Sequence, residues 1–191
     1  IVASSELSDE DIAVKVQAGD SKLFGVLVER YEAKMLRYAR KFFFDHSDAQ
    51  DLLQDIFIKA YSNLQSFDAT RRFSPWLYRI AHNEFVNALK KKGRFPVLFF
   101  DLDTVFPHLT AEEPTNRDED LLEMRKLLET CLDKIDVKYR EPIVLYYYEE
   151  LDYREIAEVL KIPVSTVGVR LRRGKESLRK IFKKLHPHYE R

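Results

Sequence analysis

Two short stretches of this chain carry side chains suited to contact with a nucleic acid. In residues 71–94, RRFSPWLYRIAHNEFVNALKKKGR, Asn83 and Asn87 fall one helical turn apart and lead into Lys90 and Lys91, with Arg71, Arg72 and Trp76 upstream. Carboxamides pair with base edges, lysine and arginine with phosphates, and an aromatic ring stacks on a base that has left the duplex. Such a surface suits single-stranded or opening DNA, although aromatics at helical spacing taken alone read as core. The second stretch, VSTVGVRLRRGK over residues 164–175, offers Ser165, Thr166, Val169, Arg170, Arg172, Arg173 and Lys175. Hydroxyls and cations reach phosphate or base edges, and Val169 suits a thymine methyl. Gly168 admits close approach of backbone to phosphate, at a cost of about 1 kcal/mol relative to alanine inside a helix.

Other chemistries find less support. Asp48, Asp51 and Asp55, or the run Glu112, Glu113, Asp118, Glu119 and Asp120, supply carboxylates for a metal, but no histidine falls at ligand spacing beside them. The single cysteine, Cys131, leaves neither an internal disulfide nor a zinc cluster, which fits a reducing cytoplasm. No GxxxxGK[ST] phosphate loop occurs. We expect no metal, no cofactor and no enzymatic turnover; a metal-dependent phosphoesterase stands as a rival.

The elements that must position these residues read as helices. The chain has 191 residues, 45% hydrophobic and 34% charged, and five glycines, and its apolar residues recur three and four apart. We expect an all-α protein. No apolar run reaches the roughly 18 residues that span a bilayer, and the first residues lack the order of a signal peptide. Beginning at Ile1 without methionine, the chain is expected to be a trimmed form. Formal net charge is zero, from 32 basic and 32 acidic residues, but the charges are segregated. Residues 71–94 carry a net +6, residues 161–191 a net +8, and residues 101–123 between them a net −7. Phosphate binding follows local charge density, so the two basic blocks are candidate nucleic-acid footprints.

Ser8 is positioned to cap a first helix, after which Phe24, Leu27, Val28, Tyr31, Met35 and Leu36 recur as a core stripe. Asp48 is placed to cap a helix with Leu52, Ile56, Ala60, Tyr61 and Leu64 inward and Asp51, Asp55 and Lys59 on another face. Ser74 in the cap and Pro75 in the first turn open the next helix, with Phe73, Leu77, Ile80, Ala81, Phe85 and Leu89 packed and Trp76 near them. The period lapses around Pro96, Pro107 and Pro114, marking an acidic linker whose VLFFDLDTVF segment reads either as a short strand or as a piece seated in a partner's groove. It returns in Leu121, Met124, Leu128, Leu132 and Ile135. From Asp152 to Leu178, one short helix carries Ile156, Ala157 and Leu160, a break falls at Lys161-Ile162-Pro163, and Val167 and Leu171 open the next packed face. This is helix-turn-helix spacing, whose second helix enters the major groove. Lys161 stands where such turns often hold glycine. A generic helical hairpin is the plainer reading.

In this order, DAQDLLQDIFIKAYSNLQSFD (48–68), FSPWLYRIAHN (73–83) and YREIAEVLKIPVSTVGVRLRRGKESLRK (153–180) make the chain resemble bacterial sigma factors of the extracytoplasmic-function class. The resemblance implies a promoter-specificity subunit of RNA polymerase made of two small helical domains, residues 1–95 and 121–191, joined by an extended linker over 96–120. It implies docking of Asp51, Gln54 and Asp55 on the β′ coiled coil of the polymerase core, and of the second domain on the β flap. Gln50 departs from the acid usual in the family. Residues 66–72 and Asn83 and Asn87 would capture flipped minus-ten bases, with Arg71, Arg72, Trp76, Lys90 and Lys91 around them. Ser165 to Lys175 would read the minus-thirty-five element, Arg173 matching a DNA-contacting arginine, while Gly168 and Val169 depart from the basic and hydroxyl residues common there. The resemblance further implies a cytoplasmic protein under an anti-sigma factor, itself membrane-anchored in some cases. The linker's apolar Phe99, Phe100, Leu102, Val105 and Phe106 are themselves expected to need a partner surface. An ordinary helix-turn-helix repressor or activator explains residues 152–178 but gives the Asn83/Asn87 face and the acidic helix no role.

Overall fold

The computed structural model describes residues 7–42, 46–91, 127–185 and 187. Helix α1 (Asp9–Gln17) starts from a capping box: the Ser8 hydroxyl accepts the Asp11 N–H while the Asp11 carboxylate accepts the Ser8 N–H. Helix α2 (Phe24–Arg40) buries Phe24, Leu27, Tyr31, Met35, Tyr38 and Ala39. Val28 and Leu36, expected in the same stripe, are half-buried. Helix α3 (His46–Asn63) begins two residues before Asp48, which therefore sits in its first turn, where a carboxylate favours the helix dipole, and not at its cap. Its packed stripe is Ala49, Leu53, Ile56 and Ala60, and Leu64, just past its end, continues it. Leu52 is half-buried, and Tyr61, expected inward, is 47% exposed and sets its edge against Phe24.

Helix α4 (Phe73–Lys91) also starts earlier than its Ser74-Pro75 pair predicts. The N–H of Phe73 donates to a Glu10 carboxylate oxygen at 2.7 Å, so a side chain from α1 supplies the cap. Phe73, Leu77, Ala81, Phe85 and Leu89 are buried as expected, and Ile80 is half-buried. Tyr38, Phe42, Tyr78 and Phe85 make an aromatic core with ring centroids about 5 Å apart. At the other end, Asp9 accepts from Tyr31 Oη at 2.5 Å and from Arg30 at 2.6 Å, tying α1 to α2. Burial, with the Asp9 carboxylate beside it, pushes the Tyr31 phenol well above its ordinary range, so it is a permanent donor.

In the second unit a helical stretch over residues 127–132 precedes α5 (Val137–Tyr147), α6 (Tyr153–Leu160) and α7 (Val164–Leu185). Asp136 caps α5, and its C-terminus closes with Glu150 in the left-handed region and the Leu151 N–H on the Leu145 carbonyl. A capping box of Asp152 and Glu155 opens α6. The turn after it puts Lys161 at φ 56°, the conformation for which glycine is the easier residue. All elements among the described residues are helical. The chain separates into two compact units, one carrying α1 to α4 and the other carrying α5, the start of α6 and α7. The linker, including Pro96, Pro107, Pro114 and the apolar run 97–106, together with Leu121 and Met124, lies outside the described residues.

Where α7 crosses α5, Gly174 is buried, and a Cβ there would stand 2.7 Å from Ile143 Cδ1 and 3.0 Å from the Tyr139 carbonyl oxygen. The side chain can shift; the carbonyl is held by its helix. Gly174→Ala gains about 1 kcal/mol of helix propensity against an overpacking cost of about 1–3 kcal/mol. We expect a net loss of about 1 kcal/mol, read as a lower denaturant midpoint. A midpoint at or above that of the parent chain would show that α5 and α7 separate without cost.

Candidate nucleic-acid interface

The backbone between Leu64 and Phe73 is held from several sides. Phe67 and Phe73 are buried at its two ends with ring centroids 5.5 Å apart, and Trp76 packs against both at 5.2 and 5.4 Å. Inside the loop, Asp68 accepts from the Thr70 hydroxyl at 2.7 Å and the Thr70 N–H at 3.0 Å, bonds that hold its carboxyl below the usual range. The Asp68 carbonyl accepts the Arg71 N–H. This built turn presents Arg71 and Arg72 to solvent, while Trp76 is half-buried.

Beside it, α3 and α4 enclose a recess of about 320 Å³ lined by Lys59, Asn63, Ser66, Trp76, Arg79, Ile80, Asn83 and Glu84. Its walls combine an aromatic face, two carboxamides, a hydroxyl and two cations, donors and acceptors for a base and charge for its phosphate. Lys59 is ion-paired to Glu84 across the helices at 2.5 Å. A second recess, about 270 Å³, lies further along the same pair and is lined by Asp48, Asp51, Leu52, Asp55, Glu84, Asn87, Ala88 and Lys91. Asn83 and Asn87 therefore open into different recesses, with Glu84 on the wall of both. Four carboxylates around Asn87 repel a phosphate, so the first recess suits a whole nucleotide better than the second. Lys90 and Lys91 are exposed beyond Asn87.

On α3, Asp51, Gln54 and Asp55 are all exposed, Asp51 and Asp55 at the edge of the second recess, and Ile58, 63% exposed, continues the same stripe. Lys59, Asn63 and Arg79, which line the first recess, were not among the residues that sequence reasoning singled out for a nucleic acid. Arg79 lies within the basic block, but the placement of the exposed Lys59 beside the recess depends on its ion-pair partner Glu84 in α4.

In the second unit, Ser165 is exposed at the start of α7, and Arg172, Arg173 and Lys175 are half-buried. Three residues expected at the DNA are buried instead: Thr166, Val169 and Arg170, the last only 2% exposed. At 3.6 residues per turn, Thr166 and Arg170 share the packed stripe that ends on Gly174. Among the described residues no cluster of three His, Cys, Asp or Glu side chains is placed to hold a metal, and no helix is long and apolar enough to cross a membrane.

Comparison with known proteins adds an independent line. The family model for sigma-70 region 2 matches residues 27–95, and that for sigma-70 region 4 matches residues 125–178. The ECF RNA polymerase sigma factor SigW of Bacillus subtilis is 36% identical over 90% of this chain and 95% of its own. The ECF RNA polymerase sigma-E factor of Escherichia coli is 34% identical over 92% and 94%. Among solved structures, CnrH in complex with the cytosolic domain of CnrY superposes with a TM-score of 0.66 at 28% identity, covering 92% of this chain and 97% of that one. The sigma factor RpoE of Bartonella quintana, solved with the anti-sigma factor NepR, shares the fold with a TM-score of 0.62 at 24% identity, covering 84% and 96%. Two helical units in this order, both region models and relatives that match over 90% or more of each chain place the chain in the extracytoplasmic-function class of RNA polymerase sigma factors, initiation factors that direct the polymerase to promoters and are not enzymes.

Proposed function

We propose that residues 1–95 engage polymerase and melt the minus-ten element, that residues 121–191 read the minus-thirty-five element, and that residues 96–120 join them. The observation that carries this reading is the recess between α3 and α4, where Trp76, Asn83, Arg79 and Lys59 converge on a volume that accepts one extruded nucleotide. Opening each base step costs about 1.4 kcal/mol, and stacking a freed base returns about 1–3 kcal/mol. Melting therefore requires no nucleotide hydrolysis.

The exposed face of Asp51, Gln54 and Asp55 meets a basic helix of the β′ coiled coil, and the second unit meets the β flap. At the upstream element Ser165, Arg172, Arg173 and Lys175 face the DNA, while the buried Thr166, Val169 and Arg170 hold α7 in place. CnrH, solved with the cytosolic domain of CnrY, supports a further assignment: an anti-sigma factor, free or membrane-anchored, holds this protein inactive in the cytoplasm.

The test is transcription with purified core polymerase on fragmented genomic DNA, with start sites mapped. Initiation at defined sites that depends on both the chain and the core is expected; tight specific DNA binding without polymerase would identify a repressor or activator instead. On a mapped promoter, Arg173→Ala should lose about 1–3 kcal/mol at the upstream element, with discrimination relaxed at one position. An equal loss on every upstream sequence would make Arg173 a phosphate contact.

A further inference from the structure

The loop between α3 and α4 is gripped at both ends by one helix that sequence reasoning gave no functional part. Gln17, the last residue of α1, donates from Nε2 to the Leu64 carbonyl at 2.8 Å and to the Phe67 carbonyl at 2.9 Å, and both bonds are partly buried. The Gln65 side chain returns a bond to the Gln17 carbonyl at 3.2 Å. Glu10, on the same helix, accepts the Phe73 N–H at 2.7 Å. Seven residues apart, Glu10 and Gln17 lie on one face of α1, about 10 Å along its axis. That spacing is two helical turns, and it matches the two ends of the loop. The bar itself is fixed, because Asp9 holds Arg30 and Tyr31 of α2 and Ile12, Ala13 and Val16 are buried.

We infer that α1 is a positioning clamp for promoter melting: Gln17 and Glu10 set the two ends of residues 64–73 so that the turn at Asp68, the aromatic Trp76 and the recess beside it are formed before DNA arrives. This rests on the reading of that recess as the site for an extruded base. The physical advantage is preorganisation. A loop already ordered in the free protein loses no conformational freedom when it takes a base, and a recess whose walls are fixed discriminates among bases better than one that adapts to each. Neither Gln17 nor Glu10 touches the DNA in this arrangement. Both act through backbone atoms of the loop, which any sequence could supply, so the specificity they confer belongs to geometry.

The test uses holoenzyme assembled from the full chain and core polymerase on a promoter mapped as above, in duplex form and with the minus-ten non-template strand unpaired. Gln17→Glu keeps the side-chain shape but turns the donor that serves two carbonyls into an acceptor. We expect strand opening, followed by permanganate reactivity of minus-ten thymines, to slow at least tenfold, and discrimination among bases on the unpaired strand to fall by a similar factor. Affinity for core polymerase should stay within twofold. Glu10→Gln, which keeps an acceptor for the Phe73 N–H, should retain most of the opening rate, and Glu10→Ala should not. A merely structural role would lower core affinity and opening together and leave the ratio between bases unchanged, and that result would overturn the inference. Opening at the parent rate in Gln17→Glu would overturn it too. Asn83→Ala separates the two levels: if it impairs capture of the unpaired strand while Gln17→Glu does not, the clamp alone is wrong; if neither impairs capture, the recess is not the base site.

Discussion

Replacing Arg140 by Met should loosen the second unit by about 3 kcal/mol, the loss expected when a charged donor serving two carbonyls is removed. Arg140 is 1% exposed, and its guanidinium donates to the Asp133 carbonyl at 2.8 Å and the Ile135 carbonyl at 2.6 Å. These carbonyls follow the helical stretch 127–132, so one side chain from α5 ties down the chain that leads into it. Burial pulls the arginine's affinity for its proton down from the ordinary value, with Asp133 and Asp136 acting the other way. Removing a desolvated charge recovers some free energy, and methionine fills part of the volume. The two carbonyls are left without that donor in a packed site, which costs more. Cys131, fully buried in the same unit and the chain's single cysteine, provides the reporter. Burial raises its thiol pKa and shields it, so labelling by a thiol reagent requires opening of this unit. A loss of about 3 kcal/mol raises the labelling rate roughly a hundredfold at fixed pH. A rate within threefold of the parent would mean that the guanidinium's desolvation cancels its hydrogen bonds.

Local signals were readable where the physics is local. The Ser8 cap, the apolar face of α6 and the Val167/Leu171 stripe of α7 depend on residues within a turn or two, and the structure has them as read. Misreadings came where a distant partner decided. The start of α4 is set by Glu10, sixty-three residues away in sequence, and no local pattern in Ser74-Pro75 announces that. Spacing alone points Tyr61 and Leu52 inward, but α3 is contacted by both α2 and α4, and the stripe that satisfies both is Leu53, Ile56 and Ala60.

Of the candidate site, charge segregation and the Asn83/Asn87 spacing were legible because they are properties of composition and helical period. That the two asparagines open into different recesses was not, since the separation is made by Lys59 reaching from α3 to Glu84. Two residues illustrate a signal present but unused. Arg140 counts as surface charge until its burial is seen. Gly174 sits inside a long helix, which implies a packing reason, and α5 supplies it.

The asparagine pair is expected to carry the largest functional effect. Each carboxamide that pairs with a base edge supplies about 1–3 kcal/mol of discrimination, and their sum is an upper bound, because the two lie one turn apart and share Glu84 as a wall. Asn83→Ala with Asn87→Ala should therefore lose up to about 4 kcal/mol of minus-ten binding, at most roughly a thousandfold in open-complex stability, against tenfold to a hundredfold for either alone. Both positions face the recesses and not the aromatic core, so the stability of the first unit should change little. The decisive comparison is between duplex promoter and the same promoter with its minus-ten strand already unpaired. The opening cost is a property of the DNA and is identical for parent and variant, so contacts made to extruded bases predict the same loss on both templates. A loss on duplex that vanishes on the unpaired strand would place the asparagines on paired DNA, and the recess between α3 and α4 would then need another occupant. Asn83 should be the more damaging single change, because its recess also holds two cations and the Trp76 face, which suit the rest of a nucleotide, while Asn87 lies among four carboxylates, which repel a phosphate.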